Sequence, residues 1–178
     1  KSLAGEKNPV VRAAAIRALS GFDDAGADGL VRKALGSTSF RHQLADAAVD
    51  ALRKQDDPAN IAPLLKTLQT DSKKFTSRGY GSGMKALAYL ARNEEDKSKV
   101  RRFLLGRVSH LNPRIRLVAI ESLGNLGDPK AIAALEKFAA GGENSPDRKY
   151  AEAAIEKLRA ARKPVDDFKN LRKEVSEL

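Results

Sequence analysis

Asn8-Pro9-Val10-Val11-Arg12-Ala13-Ala14-Ala15-Ile16-Arg17-Ala18-Leu19 aligns without gaps onto Asn112-Pro113-Arg114-Ile115-Arg116-Leu117-Val118-Ala119-Ile120-Glu121-Ser122-Leu123, 104 positions further on. Nothing constrains a fold more than such self-similarity, because every copy faces the same burial problem and adjacent copies must solve it together. Fainter copies complete the series: Ala48-Val49 with Leu52, Ala86-Leu87 with Leu90, and Ala154-Ile155 with Leu158. The branched or long apolar position falls at Ile16, Val49, Leu87, Ile120 and Ile155, at spacings of 33, 38, 33 and 35 residues. That period fits two helices and two turns.

Each unit divides into two helices with recognisable start signals. Asn8 and Asn112 are placed to accept backbone N–H bonds as caps, and Pro9 and Pro113 suit the first helical position, where a missing donor costs little. Asp24, Asp57 and Asp128 recur at matching places, the last two followed by Pro58 and Pro129, and mark the hairpin turns. The second helices carry apolar residues in steps of three and four: Ala27, Leu30, Val31, Ala34 and Leu35; Ile61, Leu64, Leu65 and Leu68; Val100, Phe103, Leu104 and Val108; Ile132, Leu135 and Phe138. That spacing builds one helix face and rules against a strand. Pro63 is accommodated if Asn60 caps the helix and the proline lies in the first turn. No hairpin buries its stripe alone, so the expected architecture is all-α, an α-α superhelix of about five stacked hairpins in one domain over residues 1–178. The expected units are about 7–36, 38–70, 76–108, 111–140 and 145–178. The last is atypical: a helix from Asp147 to about Arg162, a break near Pro164, then Val165, Phe168, Leu171, Val175 and Leu178 on a charged terminal cap.

Composition narrows the function. Hydrophobic residues make up 42% of the chain and aromatics only 5%, a mixture suited to close helix packing. The absence of cysteine removes disulfides and thiolate metal sites. No apolar run approaches the roughly 20 residues of a membrane span, and Lys1 to Lys7 lack a secretory signal, so a soluble segment is expected in a compartment left open. The chain opens at Lys1, with Leu3-Ala4 reading like the tail of a helix and Met84 its one methionine, which suggests a segment of a longer protein. Lysine and arginine outnumber aspartate and glutamate 33 to 23, for a net charge of +10, which favours polyanions or acidic protein surfaces.

The pattern N-P-x-[IV]-R-x-x-A-I-x-x-L followed by G-D-P resembles HEAT repeats, especially the short, bacterial, phycobilin-lyase-like type. The resemblance covers essentially the whole chain, with the third unit degenerate at Gly79, Gly81 and Gly83 and the fifth lacking the turn aspartate. It implies a scaffold or binding surface. A narrower resemblance attaches to Ser145-Pro146-Asp147-Arg148 through Ala154-Ile155-Glu156-Lys157-Leu158-Arg159, which is similar to the C-terminal repeats of some bacterial zinc aminopeptidases of the aminopeptidase N family. That family works through an H-E-x-x-H helix. Here His42 is followed by Gln43 and His110 by Leu111, so no zinc ligand carries over.

Candidate sites follow from charge and spacing. Lys97, Lys99, Arg101, Arg102, Arg107, Arg114 and Arg116 lie in a stretch without an acidic residue, a candidate surface for phosphates or partner carboxylates. Arg12 and Arg116 occupy equivalent places, as do Asp24, Asp57 and Asp128, and are expected to form a polar ladder between units. Ala45 stands where unit two would carry the arginine. Arg78 through Gly83 imitates a phosphate-cradling loop but lacks the preceding strand that the mechanism needs, and reads as a flexible loop entering the third hairpin. His42 and His110 have no sequence-local partner for base or metal chemistry. Glu94, Glu95 and Asp96 suit a helix N-terminus. No nucleophile elbow, Walker loop or paired cysteines appear, so neither catalysis nor a cofactor is expected of this segment.

The reading is a non-catalytic protein-interaction or scaffold domain, holding a protein partner or packing on neighbouring domains, as the C-terminal accessory part of a zinc aminopeptidase-like protein. The alternative is a nucleic-acid-binding solenoid using the basic stretch. A third option, a chaperone-like lyase subunit for bilin attachment, follows from the repeat type.

Overall fold

The computed structural model describes the backbone of residues 6–21, 25–37, 39, 42–70, 72–142 and 145–176, with side chains for all of these except 25, 74 and 162–176. Among them are nine α-helices and no strand: α1 (Pro9–Leu19), α2 (Ala25–Leu35), α3 (Gln43–Gln55), α4 (Ile61–Thr70), α5 (Ser77–Leu90), α6 (Ser98–Leu105), α7 (Pro113–Leu126), α8 (Ile132–Ala139) and α9 (Pro146–Ser176). The odd-numbered helices form one row in which each packs closely on the next. Each even-numbered helix lies against the odd helix that follows it, while the even helices meet one another sparsely. The result is the expected α-α superhelix.

Small residues set the closeness of the odd row. Ala45, Ala48, Ala86, Ala119 and Ala151 are fully buried along it. A Cβ added to Gly124 of α7 would lie 2.9 Å from Ala154 Cα in α9, so these two backbones approach as nearly as helices can. The stripes on the even helices point into the same core: Val31, Leu64 and Leu135 are 0% exposed and Val100 3%. Leu30, assigned to the α2 stripe from its spacing, lies outside it at 44% exposed.

The caps form where the sequence places them. Asn8 Oδ1 accepts from Val10 N at 2.9 Å and Asn112 Oδ1 from Arg114 N at 3.0 Å. Asp57 Oδ1 accepts from Ala59 N at 2.9 Å and Asp128 Oδ1 from Lys130 N at 3.0 Å, each opening one 3₁₀ turn that runs into the second helix. α4 therefore begins at Ile61 and Pro63 falls in its first turn, as expected. Asn60 does not cap it. Fully buried, its side chain bridges units by accepting from Arg32 Nε at 2.9 Å.

Two further expectations are corrected. The glycine-rich stretch is not a loop: Arg78 to Gly83 lies within α5, capped by Thr76, whose hydroxyl accepts from Gly79 N at 3.0 Å. Gly79 and Gly83 leave room for neighbouring side chains, since an added Cβ would come within 2.0 Å of Asp46 Oδ1 and 2.7 Å of Leu68 Cδ2 respectively. Nor does the fifth unit break near Pro164. α9 runs unbroken to Ser176 as a single helix, so the described residues form four hairpins and one long closing helix. Pro164 removes one N–H from the helical ladder without ending it. Leu3, Ala4 and the side chains of Val165, Phe168, Leu171, Val175 and Leu178 lie outside the described residues.

Candidate functional site

Asp57 and Asp128 face arginines other than Arg12 and Arg116. Asp57 and Asp128, after capping their own helices with one oxygen, turn the other toward an arginine of the preceding even helix. Arg101 of α6 donates to Asp128 Oδ2, with side chains 20% and 9% exposed, and Arg32 of α2 stands 3.9 Å from Asp57 Oδ2. Arg116 makes a separate link, from Nε to Asp147 Oδ2 at the start of α9 at 2.8 Å, and steadies the preceding turn by donating to the His110 carbonyl at 3.1 Å. Arg12 should do likewise, but the residue equivalent to Asp147 is Gln43. Arg12 Nε and Gln43 Oε1 are both buried and without a partner among the described residues. Ala45 packs in the core at 0% exposed, and Asp24 lies outside the described residues. A ladder contact missed from the sequence joins Asp56 to Arg92 through bonds of 2.6 and 2.7 Å. That bond holds the Asp56 carboxyl below the usual carboxylate range.

The acid-free basic stretch does not form one surface. Arg101 and Arg116 are committed to the pairs above. Arg107 donates from Nε to Tyr80 Oη at 2.9 Å and lies over the Phe103 ring, 5.0 Å from its centre. Lys97 is half-buried in the turn before α6. Arg114 is exposed at the start of α7, beside Arg78 and Lys85 in a groove between α5 and α7, where Lys85 is already paired with Glu121 at 2.9 Å. Only Lys99 and Arg102 stand exposed together on α6. With Arg107 they rim a cleft of about 320 Å³ against α4, floored by Leu65 and Phe103.

The histidines resolve into local roles. His110 Nδ1 accepts from Asn112 N at 3.0 Å, which shapes the turn into α7. His42 precedes α3 with a left-handed φ of 56°, its Nδ1 buried and without a partner among the described residues. Nearby Asp46 has its carboxyl pushed up, first by burial and then by Asp50, against the opposing pull of His42, Arg17 and Arg78. Of the acidic residues before α6, Asp96 takes up the N-terminal role, accepting from Ser98 N at 2.9 Å.

Stacked hairpins tied by a cap-and-ladder aspartate define an α-solenoid of helical repeats, a class that offers extended binding surfaces. Models of HEAT repeats match residues 1–79 and again 84–162. The chain belongs to the HEAT-repeat family, at the level of the repeat itself rather than of either narrower resemblance. No curated protein matches it.

Proposed function

We propose that this chain is a non-catalytic protein-interaction or scaffold domain. HEAT repeats usually mediate protein interactions, and one observation carries the reading here. The partly buried charges, Arg101 with Asp128 and Arg116 with Asp147, bind unit to unit, which leaves the outer faces of the helix rows to meet partners. A row of rigid helices offers a broad, preformed surface of this kind. No helix among the described residues is long and apolar enough to cross a membrane.

The test is purification of tagged protein from its source cell with nuclease present, followed by reassembly from purified components. A protein that re-forms a stoichiometric complex in sedimentation supports the reading. Loss of all retained material on nuclease treatment overturns it in favour of the nucleic-acid alternative. The basic stretch from Lys97 to Arg116 is dispersed over two faces and a turn, so by itself it offers that alternative no continuous track for phosphates. The narrower role, as the C-terminal accessory part of a zinc aminopeptidase-like protein, rests on the Ser145 to Arg159 resemblance. It requires an H-E-x-x-H motif encoded upstream of Lys1, and a gene without one overturns it.

A further inference from the structure

Placing the even helices in register shows a charge pattern that the linear stretch conceals. Val31, Leu64, Val100 and Leu135 occupy one buried position, at 0, 0, 3 and 0% exposed. Two residues after each comes a cation: Lys33, Lys66, Arg102 and Lys137, one on each of α2, α4, α6 and α8. All four are exposed, and none has an ion-pair partner among the described residues. The two acidic residues on these helices are engaged elsewhere, Asp28 accepting from Gln55 and Glu136 from Arg159 at 3.3 Å. The row thus crosses the even face of the stack with its charge uncompensated among the described residues. At its middle, Arg102 adjoins the cleft floored by Leu65 and Phe103.

We propose that this row binds an acidic segment of a partner protein, laid across the even helices in a polyproline-II-like conformation with one carboxylate to each helix. The proposal deepens the interaction reading and rests on it. The even helices touch at few points, so their axes stand no closer than the roughly 8–10 Å of helices packed side by side. A polyproline-II chain rises about 3.1 Å per residue with three residues per turn, so every third side chain returns to one face about 9 Å further on. An acidic residue at every third position therefore suits the row at its closest spacing, and an extended chain can lengthen its step to reach wider ones. The cleft beside Arg102 takes an apolar side chain from the same segment, with Leu65 8% and Phe103 5% exposed beneath it. A nucleic-acid backbone would meet the same cations but offers nothing apolar to the cleft. The rings beside the cleft, Phe103 and Tyr80, are buried and give no stacking platform for bases.

The experiment is fluorescence anisotropy at low salt on the full chain, with a labelled peptide of four Glu-Pro-Pro triplets, its Gln-Pro-Pro counterpart and a labelled DNA duplex as probes. Two double variants are compared, Lys66→Gln with Arg102→Gln on the row, and Arg78→Gln with Arg114→Gln on the odd helices. All four positions are exposed, so both variants should fold, which circular dichroism checks. The acidic peptide should bind, the glutamine peptide should not, and the row variant should weaken binding about tenfold, as expected for two exposed charge contacts. The odd-row variant should stay within about twofold. Equal weakening by both variants, no binding of the acidic peptide, or duplex bound more tightly than peptide through the same row overturns the proposal. A protein complex that still reassembles with the row variant would sink the row and spare the interaction reading, whereas no reassembly at all sinks the reading itself.

Discussion

Asp46 holds a carboxylate where the fold supplies its Oδ1 with no partner among the described residues. Gly79 leaves the space that this oxygen occupies, so side chain and glycine are one packing solution. Burial, with Asp50 adding to it, raises the carboxyl above its unfolded value. The linkage has a definite sign. Above the folded pKa the group is ionised in both states, and the fold bears the cost of the withdrawn charge. As pH falls through that value the folded state takes up its proton first, and the cost disappears. Asp46→Asn keeps the size of the side chain under Gly79 and removes the charge. It should raise Tm at pH 7, with the gain fading as pH falls through the raised folded pKa and gone below about 4, where aspartate in the unfolded chain also protonates. Thermal melts across this range check it. A gain equally large at pH 3 would show that burial of charge is not its source.

At the scale of the helix, glycine placement separates positions that look alike in sequence. Gly81 in α5 and Gly124 in α7 both lie inside helices, where glycine is about 1 kcal/mol worse than alanine. A Cβ on Gly81 would meet Val118 at 3.5 Å, an ordinary contact. On Gly124 it would meet the α9 backbone at 2.9 Å, and backbone cannot swing aside. Gly81→Ala should therefore gain about 0.5–1 kcal/mol, and Gly124→Ala should lose about 1–3 kcal/mol, read from chemical denaturation. Stabilisation by both would mean that the odd row has slack. The same distinction explains what the sequence disclosed. Asn-Pro and Asp-Pro starts were legible because a cap is a contact over two residues. The helix through Gly79 to Gly83 looks like a loop in sequence because glycine propensity is local while the cause of these glycines, the approach of α3 and α4, is tertiary. Ladder partners such as Arg32 and Asp57 lie on different helices and become visible only in the stack. The Lys33 row is legible once the buried positions of the second helices are aligned, but in the linear sequence the denser run from Lys97 to Arg116 masks it.

Across the whole molecule, the stack carries its core unevenly. α5 buries nine of its residues, α7 seven, and α1 only Ala13 and Ile16, with Val10 and Val11 left 60% and 48% exposed. A repeat array is held together by terms between neighbours, so helices that bury many residues open less readily than helices that bury few. Native-state hydrogen exchange should show the slowest amides in α5 and α7 and opening free energies lower by several kcal/mol in α1 and α2. A single rate throughout would instead make the array one cooperative unit. An acidic segment spanning Lys33 to Lys137 touches all four even helices, so its binding free energy must appear as stability wherever opening a helix breaks the contact. Added Glu-Pro-Pro peptide should therefore slow exchange most in α2, the helix with the least protection to begin with, and leave α5 nearly unchanged. Protection confined to α6 would restrict the contact to the cleft beside Arg102 and show that the row does not act as a whole.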